Sequence, residues 1–465
     1  MKISVVIPVY NGSRYVTRCV DSILPQLSED MELIVVNDAS ADDSFSILRR
    51  QYETDPRIIL VSFSENRGPA AARNAGIRLA RGEWVAFCDA DDEWAPGYLQ
   101  AILKNAQRDP FPDVLFSSCK PVLDETTDRT KQLAAYAETD LYHFRAACIR
   151  KTIFEKIGLL DESMRVGEDR EWLVRAKSHG IWGNLVEDAL YLHHIQGDGL
   201  SANASEGDRK ARVCESFLRG IRRGNYADIP QYDLSILIPV YNAEKYIEEA
   251  VRTCLCMNHS YELILVEDGS SDDSRAVLCD LLARKAFPAP TTIVLRRHKG
   301  QASSRNDALR LARGRRILYL DADDYFLSDA IDVMMAAADN DPSCMLVSAL
   351  CKDFISPELT SEEASQLKIE PNPYRRMLAG CMLVKRELYD RIGMYDEGLS
   401  SSETAQWVLR MRDAGVHVME INDVVLARRY HKTNLGRVNR QAQMNSYMAM
   451  IRSRLQKKAE ENQEL

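Results

Sequence analysis

The feature that most constrains this 465-residue chain is that it repeats itself. Ser4-Val-Val-Ile-Pro-Val-Tyr-Asn11 returns as Ser235-Ile-Leu-Ile-Pro-Val-Tyr-Asn242. Val36-Asn-Asp-Ala-Ser40 returns as Val266-Glu-Asp-Gly-Ser270, and Ala72-Arg-Asn-Ala75 as Ser304-Arg-Asn-Asp307. Cys88-Asp-Ala-Asp-Asp92 returns as Leu320-Asp-Ala-Asp-Asp324. The interval between the partners is nearly constant across all four motifs. Solenoid units recur every 20–50 residues or so, so an interval this long marks duplication of a whole domain. The length agrees, being too great for one ordinary core. Two domains are expected, over residues 1–224 and 232–436. The join falls at Gly224–Tyr232, where Gly, Asn and Pro interrupt a basic helical stretch. Residues 437–465 form a polar tail, basic early and acidic late, expected as a surface helix with a frayed end.

Each copy opens with alternating elements. In the first, Ile3–Val9 is a β-branched run that predicts a buried strand, and Arg14–Leu24 carries apolar residues at helical spacing. Strands are then predicted at Leu33–Val36, Ile58–Val61 and Trp84–Phe87, with helices at Ser44–Tyr52 and Ala70–Ala80. Strands alternating with helices predict an α/β fold, a mainly parallel sheet flanked by helices on both faces. Such sheets bind ligands beyond the carboxyl ends of their strands. The polar motifs fall there: Tyr10-Asn11, Asn37-Asp38 and Asp89-Ala-Asp91.

Two carboxylates one residue apart at the end of an apolar strand, Asp89 and Asp91, make a concentrated negative site. Mg²⁺ or Mn²⁺ suits it and keeps coordination positions for phosphate oxygens. A solvated acidic turn has the same local sequence. An EF-hand loop is disfavoured because its glycine and distal glutamate are missing. Asp38 can accept a hydrogen bond from a base N–H, or cap a helix. Arg73, on a helix entered through Gly68-Pro69, can bind diphosphate in a forked geometry, or form a surface ion pair.

Taken in order, these motifs resemble the family 2 inverting glycosyltransferases of the GT-A fold. The likeness rests on Val-Ile-Pro-Val-Tyr-Asn, Val-Asn-Asp-Ala-Ser, Asn66-Arg-Gly-Pro-Ala-Ala-Ala-Arg-Asn-Ala-Gly76 and Gly82-Glu-Trp-Val-Ala-Phe-Cys-Asp-Ala-Asp-Asp92. It covers nearly all of residues 1–205 and again 232–436. The resemblance implies a nucleoside diphosphate sugar donor, UDP-linked, and a divalent cation, Mn²⁺ or Mg²⁺. It implies nucleotide-sugar contacts at Pro8, Tyr10, Asp38, Arg73 and Asp89, with Asp91 on the metal. The family also carries an acidic pair before an aromatic on the helix facing the acceptor, here Gly167-Glu-Asp-Arg-Glu-Trp172. Asp169 is then the general base that deprotonates an acceptor hydroxyl, with Glu168 beside it. Helix-N-terminal charge is the plain alternative for this pair. From Tyr191-Leu-His-His-Ile195 the resemblance implies a histidine that completes the metal or diphosphate site, and His194 matches better than His193.

The second copy keeps the donor half of the pattern. Pro239, Tyr241, Asp268, Arg305 and Asp321 stand for the nucleotide-sugar contacts, with Asp323 and His431 for the metal. The acceptor half departs. Aligning Trp172 with Trp407 and Arg175 with Arg410 puts Thr404 at the base position. A threonine hydroxyl is no base near neutral pH. Either Glu403 substitutes and the chain makes two successive transfers, or the second copy binds a nucleotide-sugar or acceptor without turnover.

The formal net charge of −9 argues against a general nucleic-acid binder. A nucleotidyltransferase would show a glycine-rich basic loop after the first strand, and Pro-Val-Tyr-Asn-Gly-Ser-Arg does not supply one. A non-catalytic scaffold is opposed by the Glu168-Asp169 pair. The 11 scattered cysteines, without a CxxC pair, read as small buried thiols. There is no signal-peptide pattern and no apolar stretch long enough to span a bilayer. A cytoplasmic protein is expected, with peripheral membrane contact open to the basic part of the tail. The acceptor is a glycan, a lipid-linked glycan or a protein or peptide. The segment Pro121–Tyr142 is expected to shape its pocket.

Overall fold

The computed structural model describes residues 2–107, 112–123, 143–181, 183–195, 231–367, 369–399 and 402–431. The chain divides into two compact units at Ile229/Pro230. The tail, most of the join and most of the Pro121–Tyr142 segment lie outside the described residues.

In the first unit the strands are β1 (Ile3–Val9), β2 (Glu32–Asn37), β3 (Ile58–Phe63), β4 (Trp84–Phe87), β5 (Glu93–Trp94), β6 (Val114–Leu123), β7 (Ala147–Arg150) and β8 (Gly183–Ile195). β1 lies between β2 and β4, and β2 pairs with β3, all parallel. β4 then pairs antiparallel with β7, and β7 with β6. β8 runs parallel to β6 and antiparallel to β5. The sheet is thus parallel where the motifs stand and mixed beyond it. β1 to β4 are nearly unbroken apolar runs, as strands covered on both faces require.

Helix bounds follow local chemistry. The first helix spans Val16–Ile23 rather than Arg14–Leu24, because Pro25 lacks the N–H that would continue it; a short 3₁₀ turn, Leu24–Gln26, follows. The Pro69–Leu79 helix starts with Pro at its first position, after Gly68 at φ +93°. Its small residues let it lie close on β1. A Cβ added to Gly76 would come within 2.3 Å of Val6 Cγ1.

The second unit repeats the plan with β9 (Tyr232–Val240), β10 (Tyr261–Asp268), β11 (Thr291–Arg296), β12 (Gly314–Tyr319), β13 (Tyr325–Phe326), β14 (Leu346–Ile355), β15 (Tyr374–Arg375), β16 (Met382–Lys385) and β17 (Val418–Tyr430). β9 lies parallel between β10 and β12, and β12 pairs antiparallel with β16. β14 pairs antiparallel with β16 and parallel with β17, which pairs antiparallel with β13. The repeat extends to buried polar contacts. Ser4 Oγ donates to Glu32 and accepts from the Gly82 N–H, as Ser235 Oγ does with Glu262 and Gly314. Such pairing satisfies polar groups that would be costly to bury alone.

Candidate active site

The motif residues of the first unit gather at the carboxyl ends of β1, β2 and β4. Asn11, at φ +51°, adopts the left-handed conformation that asparagine tolerates, and its Oδ1 accepts the Ala41 N–H at 2.8 Å. Asn242 does the same with Ser271. This turn leaves Tyr10 46% exposed and Tyr241 39% exposed, the Tyr241 ring lying 4.5 Å from that of His298. Pro8 is half-buried and in register with Val36; Pro239 is buried and in register with Val266.

Asp38 is buried at the end of β2. Its Oδ1 accepts the Arg67 N–H at 2.6 Å; its Oδ2 accepts Gly68 N–H at 2.8 Å and Asn66 Nδ2 at 2.9 Å. These bonds use three of about four lone-pair sites, leaving room for one base N–H. Burial raises its pKa, and the Arg67 and Gly68 N–H groups oppose that. Asp268 holds Lys299 and Gly300 the same way, at 2.9 and 2.8 Å, with His298 Nδ1 3.0 Å from its carboxylate.

Arg73 is buried and bridges two carboxylates. Its Nη2 donates to Asp89 Oδ1 and its Nη1 to Glu168 Oε1, both at 2.7 Å. Arg73 thus ties two protein carboxylates together, one through each terminal nitrogen. Burial raises the Asp89 carboxyl, but Arg73 and then Arg145 outweigh it and hold the group below its ordinary range. Glu168 is held above its ordinary range by burial, against Arg73. Asp169 is half-buried and accepts only the Arg170 N–H, on Oδ1, among the described residues. It is the second residue of the Glu168–Ser178 helix, entered through Gly167 at φ +84°.

The second unit builds the same bridge. Arg305 Nη2 donates to Asp321 at 2.8 Å and its Nη1 to Glu403 at 2.6 Å. It also donates to Thr404 Oγ1 at 2.7 Å. The alignment of the helices holds in three dimensions. Trp172 Nε1 donates to the Gly158 carbonyl and Trp407 Nε1 to that of Gly393, while Arg175 and Arg410 reach the carbonyls of Ile157 and Ile392.

The metal candidates differ between the units. Burial, then Asp92 and Asp89, push the Asp91 carboxyl up to about 7, the signature of a carboxylate crowded by like charge. His194 Nε2 lies 2.6 Å from Glu93, not on Asp91. In the second unit Asp323 and His431 do meet, at 2.9 Å. Their oxygen and nitrogen atoms suit a hard or borderline divalent ion.

The assumed equivalence of His194 and His431 is corrected by strand register. Glu93 pairs with Leu192 as Tyr325 pairs with Ala427. The His194 N–H donates to Asp92 as the Arg429 N–H donates to Asp324. Arg429 is thus the counterpart of His194, and Arg428 of His193. His431 corresponds to Gln196, outside the described residues. Position along the strand, not residue type, decides the match.

Sequence reasoning missed three residues around this cluster. Asp92 is fully buried and accepts the Tyr191 hydroxyl at 2.7 Å and His193 Nδ1 at 2.9 Å. Tyr191 in turn accepts the Asp89 N–H at 3.1 Å. Arg145, on a short 3₁₀ turn, is raised in pKa by Tyr191, Asp92 and Asp89 against its burial. The repeat of the third aspartate, Asp92 and Asp324, was the available signal. Arg145 had none, since Gly380 stands at its place in the second unit.

Comparison with known proteins now bears on this geometry. The description of glycosyl transferase family 2 matches residues 4–159 and again residues 235–391. The chain belongs to that family. Each family segment includes its unit's Asp-x-Asp pair and buried arginine. An uncharacterised glycosyltransferase of Nostoc sp. is 44% identical over 228 residues, 46% of this chain and 71% of its own length. One of Rickettsia felis is 22% identical across both units, over 72% of this chain and 63% of its own length. The chain therefore spans less than two thirds of that relative. Among solved structures, TarS of S. aureus with UDP-GlcNAc is 21% identical at a TM-score of 0.39, covering 48% of this chain and 66% of its own. The mannosyltransferase PcManGT of Pyrobaculum calidifontis with GDP-Man and Mn²⁺ is 25% identical at a TM-score of 0.36, covering 48% and 64%. No helix among the described residues is long and apolar enough to cross a membrane.

Proposed function

We propose that the first unit is an inverting, metal-dependent transferase moving a sugar from a UDP-linked donor to a hydroxyl of a glycan, a lipid-linked glycan or a protein or peptide. The observation that carries this reading is the Arg73 bridge. It fixes Asp89, at the donor end, relative to Glu168, and leaves Asp169 next to Glu168 with an oxygen that no described protein group occupies. Asp169 takes the acceptor's proton as the acceptor oxygen bonds to the anomeric carbon. The bond from that carbon to the diphosphate oxygen breaks, and its electron pair leaves with the diphosphate. Direct displacement needs base and leaving group on opposite sides of one carbon, and the bridge supports this reading by tying the Asp89 strand end to the helix that carries Asp169. A divalent cation held by Asp91 would neutralise the leaving diphosphate.

The second unit is read as a nucleotide-sugar or acceptor-binding module without turnover. Glu403 occupies the place of Glu168 and is bound through Oε1 to the buried Arg305, as Glu168 is to Arg73. Thr404 stands where Asp169 stands and accepts from the same arginine. Asp321, Asp323 and His431 keep the means to hold a metal-bound nucleotide.

The experiment is donor hydrolysis and transfer with Mn²⁺ and a panel of UDP- and GDP-sugars. Asp89→Ala should abolish turnover and Asp321→Ala should weaken only nucleotide binding. Turnover that survives Asp89→Ala and disappears with Asp321→Ala would reverse the assignment of the two units.

A further inference from the structure

We propose that the second unit carries a separate site for a zinc-class divalent ion, with Cys256 Sγ, His259 Nδ1 and Asp332 Oδ1 as ligands. Cys256 and His259 lie on the loop between the Ile247–Arg252 helix and β10, and Asp332 on the Ala330–Asn340 helix. Cys256 Sγ is 3.9 Å from His259 Nδ1 and 3.6 Å from Asp332 Oδ1, and the three ligand atoms lie within 4.8 Å of one another. Tetrahedral zinc, with bonds of about 2.0–2.3 Å, sets its ligands about 3.3–3.8 Å apart. Thiolate, imidazole and carboxylate together favour a borderline-soft ion over Mg²⁺.

A second observation concerns the imidazole. His259 Nε2 is 2.8 Å from Asp339 Oδ2, and Asp339 Oδ1 accepts Arg316 Nη1 at 2.8 Å. A carboxylate on the far nitrogen fixes the proton there and turns Nδ1 inward as a lone-pair donor, the usual support of a zinc-bound histidine. Asp332 also accepts the N–H groups of Met257 and Asn258, at 3.1 and 3.2 Å, so the loop is already wrapped around it. Cys256 binds as the thiolate, so metal binding releases its thiol proton to solvent.

Duplication supplies an internal control. The matching loop of the first unit, Leu24-Pro-Gln-Leu-Ser-Glu-Asp30, has no cysteine or histidine. Gln100 and Gln107 stand where Asp332 and Asp339 stand. The fold therefore does not need these four residues. The site also sits at the amino end of β10, whereas the donor residues stand at the carboxyl ends of the strands. Three protein ligands leave a fourth position for water or an outside ligand, and binding would tie the loop to the helix.

The test uses the full chain, stripped by a chelator and kept in excess Mg²⁺. Zinc is titrated against a colorimetric zinc chelator, and Co²⁺ is added separately to read the thiolate-to-cobalt charge-transfer band. Wild type and Asp323→Asn should both bind zinc at this site and show the band. Cys256→Ser and His259→Gln should lose both, and Asp339→Asn should bind about 10–100-fold more weakly. Circular dichroism checks each variant for folding, and His259→Gln decides if Cys256→Ser fails to fold. Absence of the cobalt band in wild type, or its persistence in folded His259→Gln, overturns the proposal.

Discussion

Arg73 and Glu168 are 95 residues apart in the chain and 2.7 Å apart in the fold, both buried. Arg305 and Glu403 repeat the pair at 2.6 Å. The other terminal nitrogen of each arginine holds the first aspartate of the Asp-x-Asp motif. One guanidinium thus links the end of a parallel strand to the start of a helix far along the chain.

Breaking this link from one side should be costly. Arg73→Met leaves Glu168 buried without its partner, a change worth about 3–5 kcal/mol. The double variant Arg73→Met/Glu168→Met should recover most of that. Urea unfolding of the four proteins in the cycle measures it, and additive losses would contradict a paired role.

Asp169→Asn removes the proposed base and little else. Transfer should fall by about 10²–10⁴-fold in kcat with donor KM nearly unchanged. Thr404→Ala and Glu403→Gln should leave the set of products unchanged by mass spectrometry. Loss of one specific sugar in Glu403→Gln would instead assign a second transfer to the second unit.

Gly76→Ala should destabilise the first unit by about 1–3 kcal/mol, through overpacking against Val6. The second unit has Ala308 at the position of Gly76 and Leu237 at that of Val6. Leucine branches one carbon farther out than valine, so Ala308 is accommodated. Thermal unfolding of Gly76→Ala and of Gly76→Ala/Val6→Leu checks this, with partial recovery expected in the double variant.

Asp91 predicts a pH dependence in chelator-treated protein. Its folded carboxyl is raised to about 7, whereas an unfolded aspartate titrates near about 3.9. The folded state therefore holds this proton to higher pH than the unfolded state. Its contribution is most favourable below about pH 4, declines up to about pH 7, and is flat above. The melting temperature should fall across that window in wild type and fall less in Asp91→Asn. Excess Mn²⁺ above pH 7 should restore wild type and not Asp91→Asn.

Much of the fold was legible because its signals are local. The β-branched run Ile3–Val9 reads as a covered strand, and Gly68-Pro69 as the entry to a helix, and both are observed. The four-motif repeat was enough to reveal the duplication that the two family segments, residues 4–159 and 235–391, also show. The site was legible in part, where motifs stand at strand ends. Arg145 was not, because it neighbours no motif and reaches the acidic cluster only through packing. The His194 and His431 pairing misled for a related reason. Histidines near the end of a strand look alike in sequence, while β-register places one of them two residues farther along.

The sequence by itself determined the duplication, the α/β alternation and the order of the donor motifs, all of which depend on residues close in the chain. Only the tertiary structure decided how Arg73 and Arg305 are used, which carboxylate of each acidic pair is committed, and that Cys256, His259, Asp332 and Asp339 meet. Those outcomes depend on side chains that come within a few ångströms after elements far apart in the sequence have packed together, and no local pattern carries that information.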